Sequence, residues 1–237
     1  MPGGNQGGSP ESGGDNRQAA LFMQRFSHHI ILFLASVVTG AAFYFFLASA
    51  GSLFWLSMAT AYASLALLAL SLMIGPWNKL RGRPNPLSGY LRRDIGIWAG
   101  VLGLAHVVFG LQVHFGGKMW LYFVPPAGAI HSFPLRTDLF GFTNFAGLGA
   151  TLILLLLLSL SNNASLRSLG GRRWKSLQRW NYAGALLVVA HGTVYQILEK
   201  RTAGFVVAFA ATALLALALQ LAGFSKTKEQ NRMKELS

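Results

Sequence analysis

Two histidines, His106 and His191, stand in separate apolar stretches that carry no Lys, Arg, Asp or Glu. An ionisable side chain at membrane depth is costly to place and marks function. Neutral imidazole is an ordinary axial ligand of haem iron. His106 lies 13 residues past Arg93, and His191 lies 12 past Arg179. At ~1.5 Å rise per residue, each imidazole sits roughly 18–20 Å from the basic residue that opens its segment. Two helices running in one direction would therefore bring both rings to one depth, facing one metal. A lone intramembrane histidine reads as a hydrogen-bonded packing residue. A pair at matched depth on non-adjacent helices reads as a haem cradle.

Steps of three and four from His106 place Ala99, Gly103 and Gly110 on its face, and the same steps from His191 give Gly184, Leu187 and Tyr195. Small residues there leave room for a flat macrocycle, and they equally permit close helix contact. His114 lies eight residues beyond His106, ~12 Å farther outward, as an interfacial residue or part of a second outer site. His28 and His29, at the inner end of the first apolar run, read as interfacial. His131 falls in a loop, and one histidine defines no metal site.

The elements that must carry this pair are membrane helices. Of 237 residues, 53% are hydrophobic and 11% charged, with mean hydropathy +0.44, a membrane composition. Cysteine is absent, which excludes disulfides, iron–sulfur clusters and thiolate zinc sites. The stretch Phe26–Asn78 is free of charge and long enough for two helices parted near Ala50–Ser52. Further uncharged runs are Ile95–Gly117, Leu139–Leu166, Trp180–Leu198 and Thr202–Ser225. A span needs roughly 20 apolar residues, so the expectation is an all-α integral membrane protein, a six-transmembrane-helix bundle. The fifth run is the shortest.

The net charge of +13 could point to nucleic acid, but the cations sit in the loops between apolar runs. With a cytoplasmic N-terminus, 16 Lys and Arg fall on inner segments and four (Lys118, Arg136, Lys200 and Arg201) on outer ones. That bias predicts both termini in the cytoplasm. Residues 1–20, Gly- and Ser-rich, read as a disordered cytoplasmic tail. Residues 21–225 form the six-helix domain, and 226–237 a basic cytoplasmic tail. The outer loop 116–138 is the longest, with Pro125, Pro126 and Pro134, and reads as a lid or docking surface or as a plain connection.

The inner loops make a second candidate site. NKLRGRPNPLSGYLRRD (78–94) and RSLGGRRWKSLQR (167–179) bring many cations and the indole of Trp174 to one face. Such a surface suits a flavin phosphate, because Arg and Lys bind phosphate and an aromatic ring stacks on the flavin. Attraction to anionic lipid is the plainer reading.

The segments GPWNKLRGRPNPLSGYLRRDIGIWAGVLGLAHVVFG and LGGRRWKSLQRWNYAGALLVVAHGTVYQ resemble the ferric-reductase-like transmembrane domain family, and within it the MsrQ type. The resemblance covers about Trp55 to Gln196. It implies a six-helix domain that passes electrons across a bacterial inner membrane through b-type haem. It also implies a cytoplasmic flavin (FMN) and an outer-side acceptor, a periplasmic methionine sulfoxide reductase of MsrP type. Residue by residue, His106 and His191 match the haem-ligand positions, and Arg92 and Arg93 match the paired basic residues opening the third span. Trp174 and Arg179 fall in the family's W-x-x-L-H-x-x-x-Y segment. Where that segment has His, this chain has Gln178. A glutamine amide is a poor haem ligand, so one bis-His haem in the outer half is expected and no second one beneath it.

The leading expectation is thus an electron-transfer subunit rather than a complete enzyme. It would take electrons from a cytoplasmic reductase or flavin and pass them to an outer-side acceptor protein. The alternative is a haem-free accessory subunit of a larger respiratory or photosynthetic membrane complex. A transporter is the weaker third reading, since the middles of the spans hold no Asp, Glu, Lys or Arg for an ion relay.

Overall fold

The computed structural model describes residues 12–83, 90–126 and 133–236. These form seven α-helices: α1 (Ser12–Leu47), α2 (Ser52–Leu80), α3 (Tyr90–Val113), α4 (Leu139–Leu160), α5 (Asn163–Gln178), α6 (Trp180–Leu198) and α7 (Ala203–Leu236). No strand occurs among the described residues. Short 3-10 turns cover Ala48–Ala50 and Met119–Tyr122. Helices α1, α2, α3, α4 and α7 are long and apolar enough to cross a membrane. Helix α6 carries His191, has 19 residues and does not reach the length and apolarity of the other five. Asn181, His191 and Gln196 dilute its apolar character.

Helix α2 is the hub, packed against α3, α7 and α1, while α4 packs chiefly on α6. Small residues let α2 approach its neighbours: Ala59, Ala63, Ala69 and Ser71 are all buried. Polar side chains then tie the helices together. Ser64 Oγ donates to the Ala99 carbonyl at 2.8 Å, Gln220 Nε2 to the Leu72 carbonyl at 2.8 Å, and Lys79 Nζ to Thr227 Oγ1. The large apolar residues face outward instead, with Phe45 and Phe46 each 82% exposed at the end of α1. An inside-out distribution of this kind fits lipid as the surrounding solvent.

Several boundaries differ from the sequence reading. The expected disordered tail is helical from Ser12 onward, and residues 1–11 lie outside the described residues. Extending an already nucleated helix costs little, and Gln18, Ala19 and Ala20 favour it. The run Leu139–Leu166 is not one span. Helix α4 stops at Leu160, and Asn162 caps a new helix by accepting a hydrogen bond from Ser165 N at 2.7 Å. The expected basic loop 167–179 is therefore mostly helix α5, bent where Gly170 takes φ 69°. Loop 78–94 is shortened from both sides by α2 and α3, and its residues 84–89 lie outside the described residues, as does His131.

Candidate functional site

Helices α2, α3 and α7 on one side and α4, α5 and α6 on the other line a cavity of about 910 Å³. That is the size of a cofactor site. It runs from a basic end, lined by Arg92, Arg93, Lys175 and Arg179, to an aromatic end, lined by His114, Tyr122 and Tyr195. His106 and His191 both line it, as do Trp174 and Gln178. All six residues singled out for cofactor binding thus meet one continuous space.

The imidazoles face each other with ring centres 6.4 Å apart and planes at 75°. Each is fixed through Nδ1. In His106 this nitrogen lies 3.0 Å from the Ser57 carbonyl and 3.3 Å from Ser57 Oγ. In His191 it lies 2.9 Å from the Thr143 carbonyl. A carbonyl only accepts, so each Nδ1 carries the proton and donates, and each Nε2 keeps its lone pair. A ligating histidine held by its other nitrogen has this arrangement. Two metal–imidazole bonds of roughly 2.0–2.1 Å, with ring centres roughly 1.1 Å beyond each nitrogen, give roughly 6.3 Å between ring centres. The observed spacing meets that requirement.

The flanking space suits a flat group. Ala99, Gly103 and Gly110 line the cavity on the His106 side, as their spacing predicted. On α6, Tyr195 lines it, whereas Gly184 meets Ile153 and Leu187 meets Gly149, so these two serve the α4–α6 contact. The close approach belongs to Gly147 of α4. A Cβ there would lie 2.8 Å from His191 Nδ1, so only glycine admits the ring. Among the described residues no three His, Cys, Asp or Glu side chains gather as a metal site. Two Nε2 atoms left free on rings 6.4 Å apart across one cavity suit a metal whose remaining positions come from a macrocycle, so the donor set would fit haem.

At the basic end, Arg93 Nη1 donates to Asn163 Oδ1 at 2.8 Å, and its guanidinium lies 5.0 Å from the Tyr90 ring centre. Its Nε is buried without a hydrogen-bond partner. Trp174 Nε1 donates to the Leu160 carbonyl at 2.9 Å, pinning α5 against the end of α4. At the aromatic end, Tyr195 lies 4.8 Å from the His191 ring and 6.4 Å from His114, which it stacks on at 20°. Its hydroxyl donates to Asn144 Oδ1 at 2.8 Å. His114 Nε2 lies 3.3 Å from Glu199 Oε1. Tyr122, from the outer loop, closes this end at 2% exposure and donates to the Gly110 carbonyl at 2.8 Å. Burial pushes its phenol above its ordinary pKa, against the opposing hydrogen bond from His114 N.

The sequence reading missed two features. Ser57, Thr143 and Gly147 hold the histidines from other helices, and local spacing gives no signal for that. Asp94, fully buried, sits beside Arg93 in the sequence and looked like one more loop charge. It accepts from Arg25 Nη2 at 2.9 Å, with His28 Nδ1 at 3.1 Å and His29 Nε2 at 3.7 Å. His28 and His29, read from the sequence as interfacial, are parts of an α1–α3 polar cluster around Asp94.

No family model matches the chain. The protein-methionine-sulfoxide reductase haem-binding subunit MsrQ of Azospira oryzae is 38% identical over 142 residues, covering 59% of this chain and 53% of that protein. The subunit of the same name from Ralstonia nicotianae is 28% identical over 142 residues, covering 60% and 59%. The chain is MsrQ-like in sequence. It spans between half and three-fifths of the length of these MsrQ relatives.

Proposed function

We propose that this chain is a b-type haem electron-transfer subunit of a bacterial inner membrane, with His106 and His191 as axial ligands of one haem. In this reading α6 is a sixth span, both termini are cytoplasmic, and the basic end of the cavity faces the cytoplasm. The observation that carries it is the opposed imidazole pair, with both Nδ1 atoms donating to backbone carbonyls and both Nε2 atoms free. The excess of cations on the proposed inner segments supports the orientation. Haem bound there supplies a one-electron ferric–ferrous couple. The residues of the chain hold the ring tautomers, keep water from the site and set the approach at each end.

At the basic end, Arg92, Arg93 and Arg179 would bind the phosphate of FMN, and Trp174 would frame the ring. At the other end Tyr195 and His114 extend the ring contacts outward from His191. The acceptor there would be a methionine sulfoxide reductase, the system named for the MsrQ relatives. The donor is a cytoplasmic reductase or flavin.

A reduced-minus-oxidised absorption spectrum of the protein, purified after expression with ample haem, tests the proposal. A b-type band that disappears in both His106→Ala and His191→Ala is expected. A wild-type protein with no such band overturns it.

A further inference from the structure

The turn between α6 and α7 is built to send one side chain back into the cavity. Arg201 N donates to the Gln196 carbonyl at 3.1 Å and Lys200 N to the Ile197 carbonyl at 3.2 Å. That pair of bonds is a Schellman motif, whose left-handed position is normally glycine. Here it is Lys200, with φ 47°, and no other non-glycine position among the described residues has a positive φ. Strain of this kind persists where surrounding structure demands it and collects at functional sites.

What the turn delivers is Arg201. It lines the cavity, and its guanidinium carbon lies 4.8 Å from the Phe54 ring centre on α2, across the mouth from α6. Its neighbour Glu199 does not pair with it. That carboxylate engages His114 Nε2 instead, and no carboxylate among the described residues lies within salt-bridge distance of Arg201. Burial lowers its pKa from the ordinary guanidinium value, with Glu199, Tyr62 and Tyr195 pulling the other way. Beside it, Gln196 Nε2 donates to Tyr62 Oη at 2.9 Å, while Gln196 Oε1 is buried and unpartnered. This corner of the cavity thus holds a half-buried cation with no contact ion pair among the described residues and one buried amide oxygen without a hydrogen bond. The unpartnered amide oxygen is an acceptor, so the group in this corner that calls for an anionic ligand is the Arg201 cation.

The level fits one part of that ligand. Gln196, whose carbonyl anchors Arg201, is five residues beyond His191, roughly 7.5 Å along α6. That is about the reach of a tetrapyrrole's carboxylate arms from its centre. Arg93 and Arg179 lie 13 and 12 residues from the histidines, roughly 18–20 Å away and beyond that reach.

We propose that Arg201 is the binding site for the propionate carboxylates of the macrocycle held by His106 and His191, which would orient those arms toward the aromatic end. The proposal rests on the haem reading above, and the test separates the two. Apoprotein of the full chain is loaded with haem or with haem dimethyl ester, whose arms carry no charge, and loss of each to excess apomyoglobin is timed. Wild type should hold haem about 10- to 100-fold more tightly than the ester, as expected for a desolvated charge-assisted pair. Arg201→Gln should weaken haem alone and bring the ratio near one. Arg201→Lys should restore part of it, and Lys200→Gly, which suits the left-handed position, should leave it unchanged.

Failure of wild type to bind either porphyrin overturns the haem reading itself. Equal retention of both by wild type overturns the Arg201 assignment and leaves the haem reading intact, without depending on any variant folding. Equal weakening of both in Arg201→Gln also overturns it, because that result reports a structural role.

Discussion

The two ends of the cavity are made differently. The basic end gathers Arg92, Arg93, Lys175 and Arg179, and none of them is ion-paired among the described residues. One of its walls is α5, bent at Gly170 and set on short polar contacts. The aromatic end holds Arg201 within a web of rings and fixed hydrogen bonds: Tyr195 to Asn144, Tyr122 to Gly110, His114 to Glu199. Several open cations on a bent wall suit an anionic group that comes and goes. A half-buried Arg201 without a contact ion pair, set among packed rings, suits a group that stays. Under the proposed function, the exchangeable partner would belong to the basic end and the resident cofactor to the middle and the aromatic end.

The strongest way to break that division is to remove an axial histidine and examine both ends. His191→Ala should abolish the b-type band while FMN, titrated by fluorescence quenching, still binds at the basic end. Loss of both together would show one site instead of two. A smaller effect should come from the opposite change. Arg93→Glu with Arg179→Glu should weaken FMN by about 100-fold or more, since each charge-assisted hydrogen bond contributes about 1.5–3 kcal/mol. The haem band should persist, and FMN affinity should depend less on salt than in wild type, because the net attraction that salt screens has been removed. A lost haem band in that variant would merge the two ends.

The middle of the cavity offers a sharper contrast between its own two walls. Gly147→Ala puts a Cβ 2.8 Å from His191 Nδ1 and 2.9 Å from its Cε1, against a ring that its own hydrogen bond holds in place. Overpacking of that kind costs about 1–3 kcal/mol, so haem occupancy should drop several-fold. Gly110→Ala places its Cβ 3.5 Å from His106 Cε1, an ordinary contact, and should leave occupancy near wild type. Haem-to-protein ratios of the two purified variants check this. Equal losses would mean that the α4 wall is no tighter than the α3 wall.

How much of this was legible in the sequence follows from how local each feature is. The histidine pair could be read because charge boundaries set depth, and depth needs only counting along one helix. The basic end could be read because its cations cluster in sequence as well as in space. Gly147 and Thr143 could not, because they meet His191 from α4, 44 and 48 positions away, and one face of one helix says nothing about the facing helix. Asp94 could not be placed from its own segment, because its partner Arg25 stands on α1, 69 positions away, at 2.9 Å. Arg201 was counted among outer-loop charges because its inward turn depends on a left-handed Lys200, a backbone state that lysine does not advertise. The run Trp180–Leu198 was read as a span from the absence of charge alone, and α6 does not reach the apolarity of the other five long helices. Its amides and imidazole dilute that apolarity.

The smallest expected effect tests what keeps the aromatic end rigid. Arg136 and Asp138 pair beside the start of α4, with Arg136 Nε donating to Asp138 Oδ1 at 3.1 Å. Arg136 also reaches the Leu121 carbonyl at 3.2 Å, and its backbone N donates to the Phe123 carbonyl at 2.8 Å. Asp138 caps α4, accepting from Gly141 N at 2.8 Å. The pair therefore ties the 3-10 turn that carries Tyr122 to the helix beneath it. The hydrogen bond from Arg136 holds the Asp138 carboxyl below its usual range. A depressed carboxylate pKa stabilises the fold above the unfolded value, and that contribution is lost as pH falls through the folded one. Asp138→Ala removes cap and pair together and should cost about 1 kcal/mol at neutral pH. Asp138→Asn keeps the cap, so its smaller deficit against wild type should vanish on acidification below the carboxylate range. Thermal unfolding of detergent-solubilised protein at neutral and acid pH reads both. A deficit in Asp138→Asn that persists unchanged in acid would show that the Arg136 ion pair does not rigidify this end, leaving the cap and the packing of Tyr122 to hold it.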